Sequence, residues 1–223
     1  MEQGSTRNAG LSGASLLAFC ITGLAFVMSI PYLPYPGAVP LKALPILILV
    51  GVTWRELQGR VRLLMVAALV LSACGDVLLE LDLFAPGVGS FLLAQLCYAR
   101  HFFSRRGTGD LPYQRLALVL LLPLAVSSQV LPATGDMMLP VGVYMAVITL
   151  MGIGAALHRQ PSTLLFTGAL LFVVSDCMIG INRFVIPFSA AKYAIMLTYY
   201  LGQLLILWGV LTAERHDATG QEK

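Results

Sequence analysis

An all-α membrane protein with eight transmembrane helices is what this sequence predicts, and three observations predict it. Of the 223 residues, 58% are hydrophobic and only 11% are charged, whereas soluble domains carry about 25% charged residues. Mean hydropathy is +0.83. The apolar residues fall into runs of membrane-crossing length, with Pro, Gly and charge collected between them, and none alternates as a barrel strand would. Backbone groups in lipid must be satisfied internally, so such runs are helices.

The spans fall at 13–31, 39–54, 61–81, 87–103, 112–131, 138–157, 162–181 and 191–213. The first has only Arg7 before it, and the Pro-rich IPYLPYPGAVP after it is no clear cleavage site, so it reads as a retained span. Lys42 and Pro45 interrupt the second. The third carries Asp76 and Glu80, and the fourth Gln95 and Tyr98. The fifth is uniformly apolar in its centre. In the sixth, the Gly-rich GIGAA reads as packing material, as do Met137 and Met138 at its start. The seventh carries Asp176 five residues before its end, and the eighth carries Tyr199 and Gln203.

Lys and Arg counts orient the bundle. With eight spans, one side takes Arg7, Arg55, Arg60, Arg62, Arg100, Arg105, Arg106, Arg115, Arg159, Arg215 and Lys223, and the other only Lys42, Arg183 and Lys192. Eleven against three puts both termini in the cytoplasm. Seven spans would scatter the same charges over both faces. The net charge of +3 gives no sign of nucleic acid. Cys20, Cys74, Cys97 and Cys177 all lie in apolar runs without metal-ligand spacing, so neither disulfides nor a metal are expected.

An internal repeat underlies the chain. GDVLLELDLF at 75–84 and SDCMIGINRF at 175–184 place Asp76 and Asp176 100 residues apart, each with Phe eight positions on. Asp82 and Asn182 also correspond, and AQL at 94–96 echoes GQL at 202–204. The single membrane domain thus divides into halves 13–103 and 112–213. Halves with an even span number have parallel topology.

Each Asp lies five residues from the outer end of its span, about 7–8 Å below the interface at 1.5 Å per residue. Ionisable groups are costly there and mark sites or pathways, and a matched pair is hard to explain as two separate helix-bridging hydrogen bonds. Glu80 shares a helix face with Asp76. Gln95 and Tyr199 lie about 12 Å deep, with Tyr98 and Gln203 one turn from them on the same faces. Core packing is the plainer account of the two tyrosines. Arg183 and Lys192 sit at the outer boundary, as snorkelling anchors or as partners for a lipid phosphate. His101, His158 and His216 fall near the cytoplasmic side, so no Ser–His–Asp set or metal triad forms at the Asp depth. Two carboxyls acting as general acid and base remain.

KALP at 42–45, GDVLL at 75–79, SDCMIGINRF at 175–184 and TYYLGQLL at 198–205 resemble the YhhN family of integral membrane lysoplasmalogenases, from the second helix to the eighth. The resemblance implies an eight-span enzyme that hydrolyses the vinyl ether of lysoplasmalogens. Its products would be a fatty aldehyde and glycerophosphocholine or glycerophosphoethanolamine. The substrate would be a membrane lysophospholipid, and no cofactor is implied. A multi-pass protein of the bacterial inner membrane is expected, with an ER membrane as the alternative. The family's His-x-x-Tyr pattern in span 4 is met here by Gln95 and Tyr98, which removes an imidazole from that position.

The residues suit this chemistry. Protonating the β-carbon of a vinyl ether gives an oxocarbenium ion that water captures, a demand glycosidases meet with two carboxyls. Two neighbouring carboxyls in a low-dielectric site titrate apart, one acid and one anion. Asp76 and Asp176 are the expected catalytic pair. Lys42, Glu80, Gln95, Tyr98, Asn182, Arg183, Lys192, Tyr199 and Gln203 would line the substrate site. The rival class is a proton- or ion-coupled transporter using the same Asp pair. It is weakened because no Gly/Pro-broken helices occupy matching positions of both halves.

Overall fold

The computed structural model describes residues 11–160 and 162–220, the last three by backbone alone. They form eight helices: α1 Gly13–Ser29, α2 Ala38–Glu56, α3 Gly59–Glu80, α4 Phe84–Ser104, α5 Tyr113–Val130, α6 Met138–Ala156, α7 Thr163–Gly180 and α8 Ala191–Gly220. No strand occurs among the described residues, only an isolated bridge between Arg106 and His158. Caps set several boundaries. Ser12 Oγ accepts from Ser15 N at 3.1 Å, and Ser162 Oγ accepts from Leu165 N at 3.2 Å. Helix α2 runs unbroken through Lys42 and Pro45, and Tyr200 Oη braces that turn by donating to Lys42 O at 2.7 Å.

Seven helices among the described residues are long and apolar enough to cross a membrane, and the chain is a multi-pass membrane protein. The exception is α4. It carries Gln95, Tyr98, Arg100 and His101; Ser90, Gln95, Tyr98 and His101 are buried on its inner face, while Leu93, Leu96 and Arg100 are exposed on the other. The polar residues on its inner face meet protein rather than lipid and lower its mean hydropathy. Arg7 and Lys223, assigned to the cytoplasmic side by charge, lie outside the described residues.

Neighbour packing has a two-fold pattern. Helix α3 lies against α2 and α4, and α7 against α6 and α8; α4 meets α6 as α8 meets α2. The α7–α8 seam is the tightest, because glycines bring backbones together. A Cβ on Gly168 would fall 2.6 Å from Ile206 N, and one on Gly209 would fall 2.6 Å from Leu165 N. In α6, Gly152 packs against Val119, and Gly154 against Phe102 and Phe103. Met137 packs against the core, but Met138 does not: it is 57% exposed on the lipid-facing surface.

Candidate active site

Helices α3 and α7 carry Asp76 and Asp176 into the interior, 2% and 5% exposed. Each carboxylate is held by a tyrosine from another helix. Tyr199 Oη of α8 donates to Asp76 Oδ2 at 2.7 Å, and Tyr144 Oη of α6 donates to Asp176 Oδ2. The two carboxylates lie within electrostatic reach of each other. Rings of Phe91, Phe172 and Tyr199 close around them edge to face, with centroids 5.4–6.3 Å apart. Gly75 makes this possible, since a Cβ there would stand 2.6 Å from the Phe91 ring. The pair is therefore flanked by aromatic rings, with a phenol hydrogen bond on each carboxylate.

Two openings lead toward it. A cleft of about 490 Å³ at the Lys-bearing end is lined by Lys42, Glu80, Asn182, Arg183 and Lys192, among others. Lys42 Nζ and Lys192 Nζ donate to the two Glu80 oxygens at 3.1 and 2.9 Å. Three cations thus face one carboxylate there. Arg183 has no acidic partner among the described residues and stacks over Phe84, 4.1 Å from its centroid. Asn182 lies in a π-turn, Ile181–Val185, where its Oδ1 accepts from Phe188 N at 3.1 Å and shapes the cleft wall. Next to the cleft is an apolar slot holding about 30 Å³ of free space, room for a water or two. Phe84, Phe91, Val141, Tyr144, Met145 and Asp176 line it, and Leu79, Phe84 and Ile179 belong to both openings. Phe84 and Phe184, equivalent in the sequence repeat, meet over it at 5.7 Å.

Most residues expected at the site converge there. Lys42, Glu80, Asn182, Arg183 and Lys192 form the cleft, and Asp76, Asp176 and Tyr199 the interior. Gln95, Tyr98 and Gln203 lie deeper. Tyr98 Oη donates to Gln203 Oε1 at 2.6 Å, and Gln95 lies beside the Tyr144 phenol, close enough to interact with it but without a well-formed hydrogen bond. Sequence reasoning missed Tyr144 and Tyr200. Tyr144 stands six residues inside α6, a depth comparable to that which singled out Tyr199, so the same measure finds it. Tyr200 offers no such signal. Among the described residues, no cluster of three or more His, Cys, Asp or Glu could hold a metal.

Comparison with known proteins agrees with the resemblance. Residues 37–210 match the model of the YhhN family. A Mycobacterium bovis protein named lysoplasmalogenase is 35% identical over 167 residues, covering 68% of this chain and 61% of the relative. Human lysoplasmalogenase TMEM86B is 36% identical over 173 residues, covering 76% of this chain and 74% of the relative. Cattle lysoplasmalogenase TMEM86A is 35% identical over 153 residues, 62% of this chain and 61% of the relative. The chain thus spans about three fifths of the length of the mycobacterial relative. No solved structure matches it.

Proposed function

The chain belongs to the YhhN family, and from that membership we propose that it is a lysoplasmalogenase, cleaving the vinyl ether of a one-chain phospholipid into a fatty aldehyde and a glycerophosphodiester. The observation that carries this reading is the buried Asp76–Asp176 pair, each carboxyl fixed by a tyrosine, next to a cationic cleft. The vinyl ether of such a lipid lies just below its headgroup, and the carboxyls lie just below the cleft. The phosphate binds Arg183 and Lys192, whose charges the single Glu80 carboxylate does not cancel. The alkenyl chain enters the slot between Phe84, Val141 and Met145, parting the Phe84–Phe184 pair as it does so.

Asp176 lines that slot and donates a proton to the β-carbon. Asp76, held by Tyr199 on the side nearer Lys42, stabilises the oxocarbenium ion and takes a proton from the attacking water. The resulting hemiacetal collapses to aldehyde and alcohol. Tyr144 and Tyr199 orient the carboxyls and are positioning residues. Lys42 acts on Glu80, and through it on Lys192, setting the shape of the headgroup site.

The same reading gives eight spans, with α4 crossing polar face inward, both termini in the cytoplasm, and residence in a bacterial inner membrane. The packing pattern of α3 with α4 and α7 with α8 supports parallel halves 13–103 and 112–213. Aldehyde release from a defined lysoplasmalogen by the purified protein tests the activity directly. Absence of aldehyde across both choline and ethanolamine substrates would refute it.

A further inference from the structure

Six buried side-chain atoms lack a well-formed hydrogen bond among the described residues: Ser72 Oγ, both amide atoms of Gln95, Gln203 Nε2, His101 Nε2 and His158 Nε2, although the Gln95 and Gln203 amides stand against the Tyr144 and Tyr199 phenols. Their residues are at most 6% exposed. A buried polar group left unmet costs about 1–3 kcal/mol, so native proteins satisfy such groups with protein or water. These six are not scattered. Ser72 lies one turn before Asp76 on the same face of α3. Gln95, Tyr98 and His101 follow one another at intervals of three along α4, and Gln203 lies one turn beyond Tyr199 on α8, accepting from Tyr98.

The file runs away from the cationic cleft toward the opposite, arginine-rich end. Gln95 to His101 covers about 9 Å of rise. The His101 ring centroid is 6.3 Å from that of His158. His158 in turn lines an open cleft of about 600 Å³ with Arg106, Arg115 and Arg159, its Nδ1 facing Gln160 O at 3.2 Å. Burial holds the His158 imidazole below its ordinary range, so it meets that cleft neutral near pH 7.

We propose that this column is a hydration path, bringing water from the arginine-rich end to the Asp pair while the lysolipid closes the other end. The inference rests on the lysoplasmalogenase reading. Each turnover consumes one water: one hydrogen ends, by way of the carboxyls, on the β-carbon, the hydroxyl forms the new C–O bond, and as the ether C–O bond breaks the hydroxyl hydrogen passes to the departing alcohol oxygen. The proton that one carboxyl takes from water replaces the proton the other has given, so water alone must be supplied. A bound headgroup fills the cleft, and the slot, with about 30 Å³ of free space, admits the alkenyl chain only by parting Phe84 and Phe184, which leaves no room for water beside it. Amides, a hydroxyl, phenols and imidazoles both donate and accept, as a water file requires. The column between the Asp pair and His158 offers no carboxylate to strip and hold a metal cation.

Radiolytic hydroxyl-radical footprinting of the wild-type protein in nanodiscs tests this without relying on activity. Side chains beside trapped water are oxidised fastest. With rates corrected for intrinsic reactivity, Tyr98 and His101 will be labelled severalfold faster than Phe26, which is equally buried on α1. Equal rates would overturn the path. In Gln95→Leu and His101→Phe, Tyr98 labelling will fall and kcat will drop by about tenfold, the scale of one lost hydrogen bond, with KM unchanged. Folded variants with wild-type kcat would also overturn it. A labelled column in a wild-type protein that releases no aldehyde would instead refute the lysoplasmalogenase reading and leave the water path standing.

Discussion

Replacing Asp176 by Asn separates chemistry from folding. Asp176 is buried, and its Oδ2 accepts from Tyr144 Oη. Asn keeps the shape and a carbonyl oxygen for that bond, so the α6–α7 contact survives. Ala would instead strand a buried phenol at a cost of about 1–3 kcal/mol. What Asn cannot do is hand over a carboxylic proton. General acid–base catalysis contributes about 10²–10⁴-fold, which is about 2.7–5.4 kcal/mol of barrier at 1.36 kcal/mol per tenfold. Asp176→Asn and Asp76→Asn should therefore each lower aldehyde release by about 10² or more, while purifying with wild-type thermal stability. Because the carboxyls work as a unit, the double variant should be little worse than either single one. The assay is aldehyde release in detergent alongside a thermal unfolding curve. A folded single variant retaining more than about a third of wild-type turnover, far above that 10²-fold scale, would remove its Asp from the chemistry. Lost yield with normal turnover in the surviving fraction would make the Asp structural.

Other outcomes follow from the same geometry. Arg183→Met should raise KM by about tenfold or more, the worth of a charge-assisted hydrogen bond to phosphate, and leave kcat in place; a kcat loss at constant KM would contradict the headgroup assignment. Gly209→Ala forces a Cβ onto the Leu165 backbone at 2.6 Å and should cost about 1–3 kcal/mol in thermal or denaturant unfolding, whereas Gly51→Ala meets nothing within 4 Å and should not. Equal melting temperatures for the two would refute the tight α7–α8 seam. Cysteines placed at the tip of the 104–111 loop should react only from the cytoplasmic side, and labelling from outside intact cells would reverse the orientation. Activity should persist in a strong chelator, and loss restored by zinc would overturn the two-carboxyl mechanism.

The course of the chain through the bundle was legible in its apolar runs, because a helix in lipid satisfies its own backbone and needs only length and hydropathy to be recognised. The predicted second span shows this: 39–54 was expected, and α2 runs Ala38–Glu56 straight through Pro45. The Asp pair was legible for a related reason, since a carboxyl inside an apolar run is costly enough to need a purpose. Span 4 shows where hydropathy stops being informative. The buried face of α4 carries Gln95, Tyr98 and His101, which answer to neighbouring helices rather than to lipid.

Those neighbours were what the sequence by itself could not supply. Periodicity places Tyr199 and Gln203 on one face of α8, but not that this face meets Asp76, 123 residues earlier. It gives no hint that Asp176 takes its tyrosine from α6 rather than from α4, the repeat equivalent of α8. It marks Lys42, Glu80 and Lys192 as separate boundary charges, whereas the fold joins them through one carboxylate. Helical periodicity is a local property, carried by a 3.6-residue turn. Which faces meet is decided by close packing between helices, by Gly168 and Gly209 letting α7 and α8 touch and Gly75 admitting the Phe91 ring, and those fits exist only once the bundle is assembled.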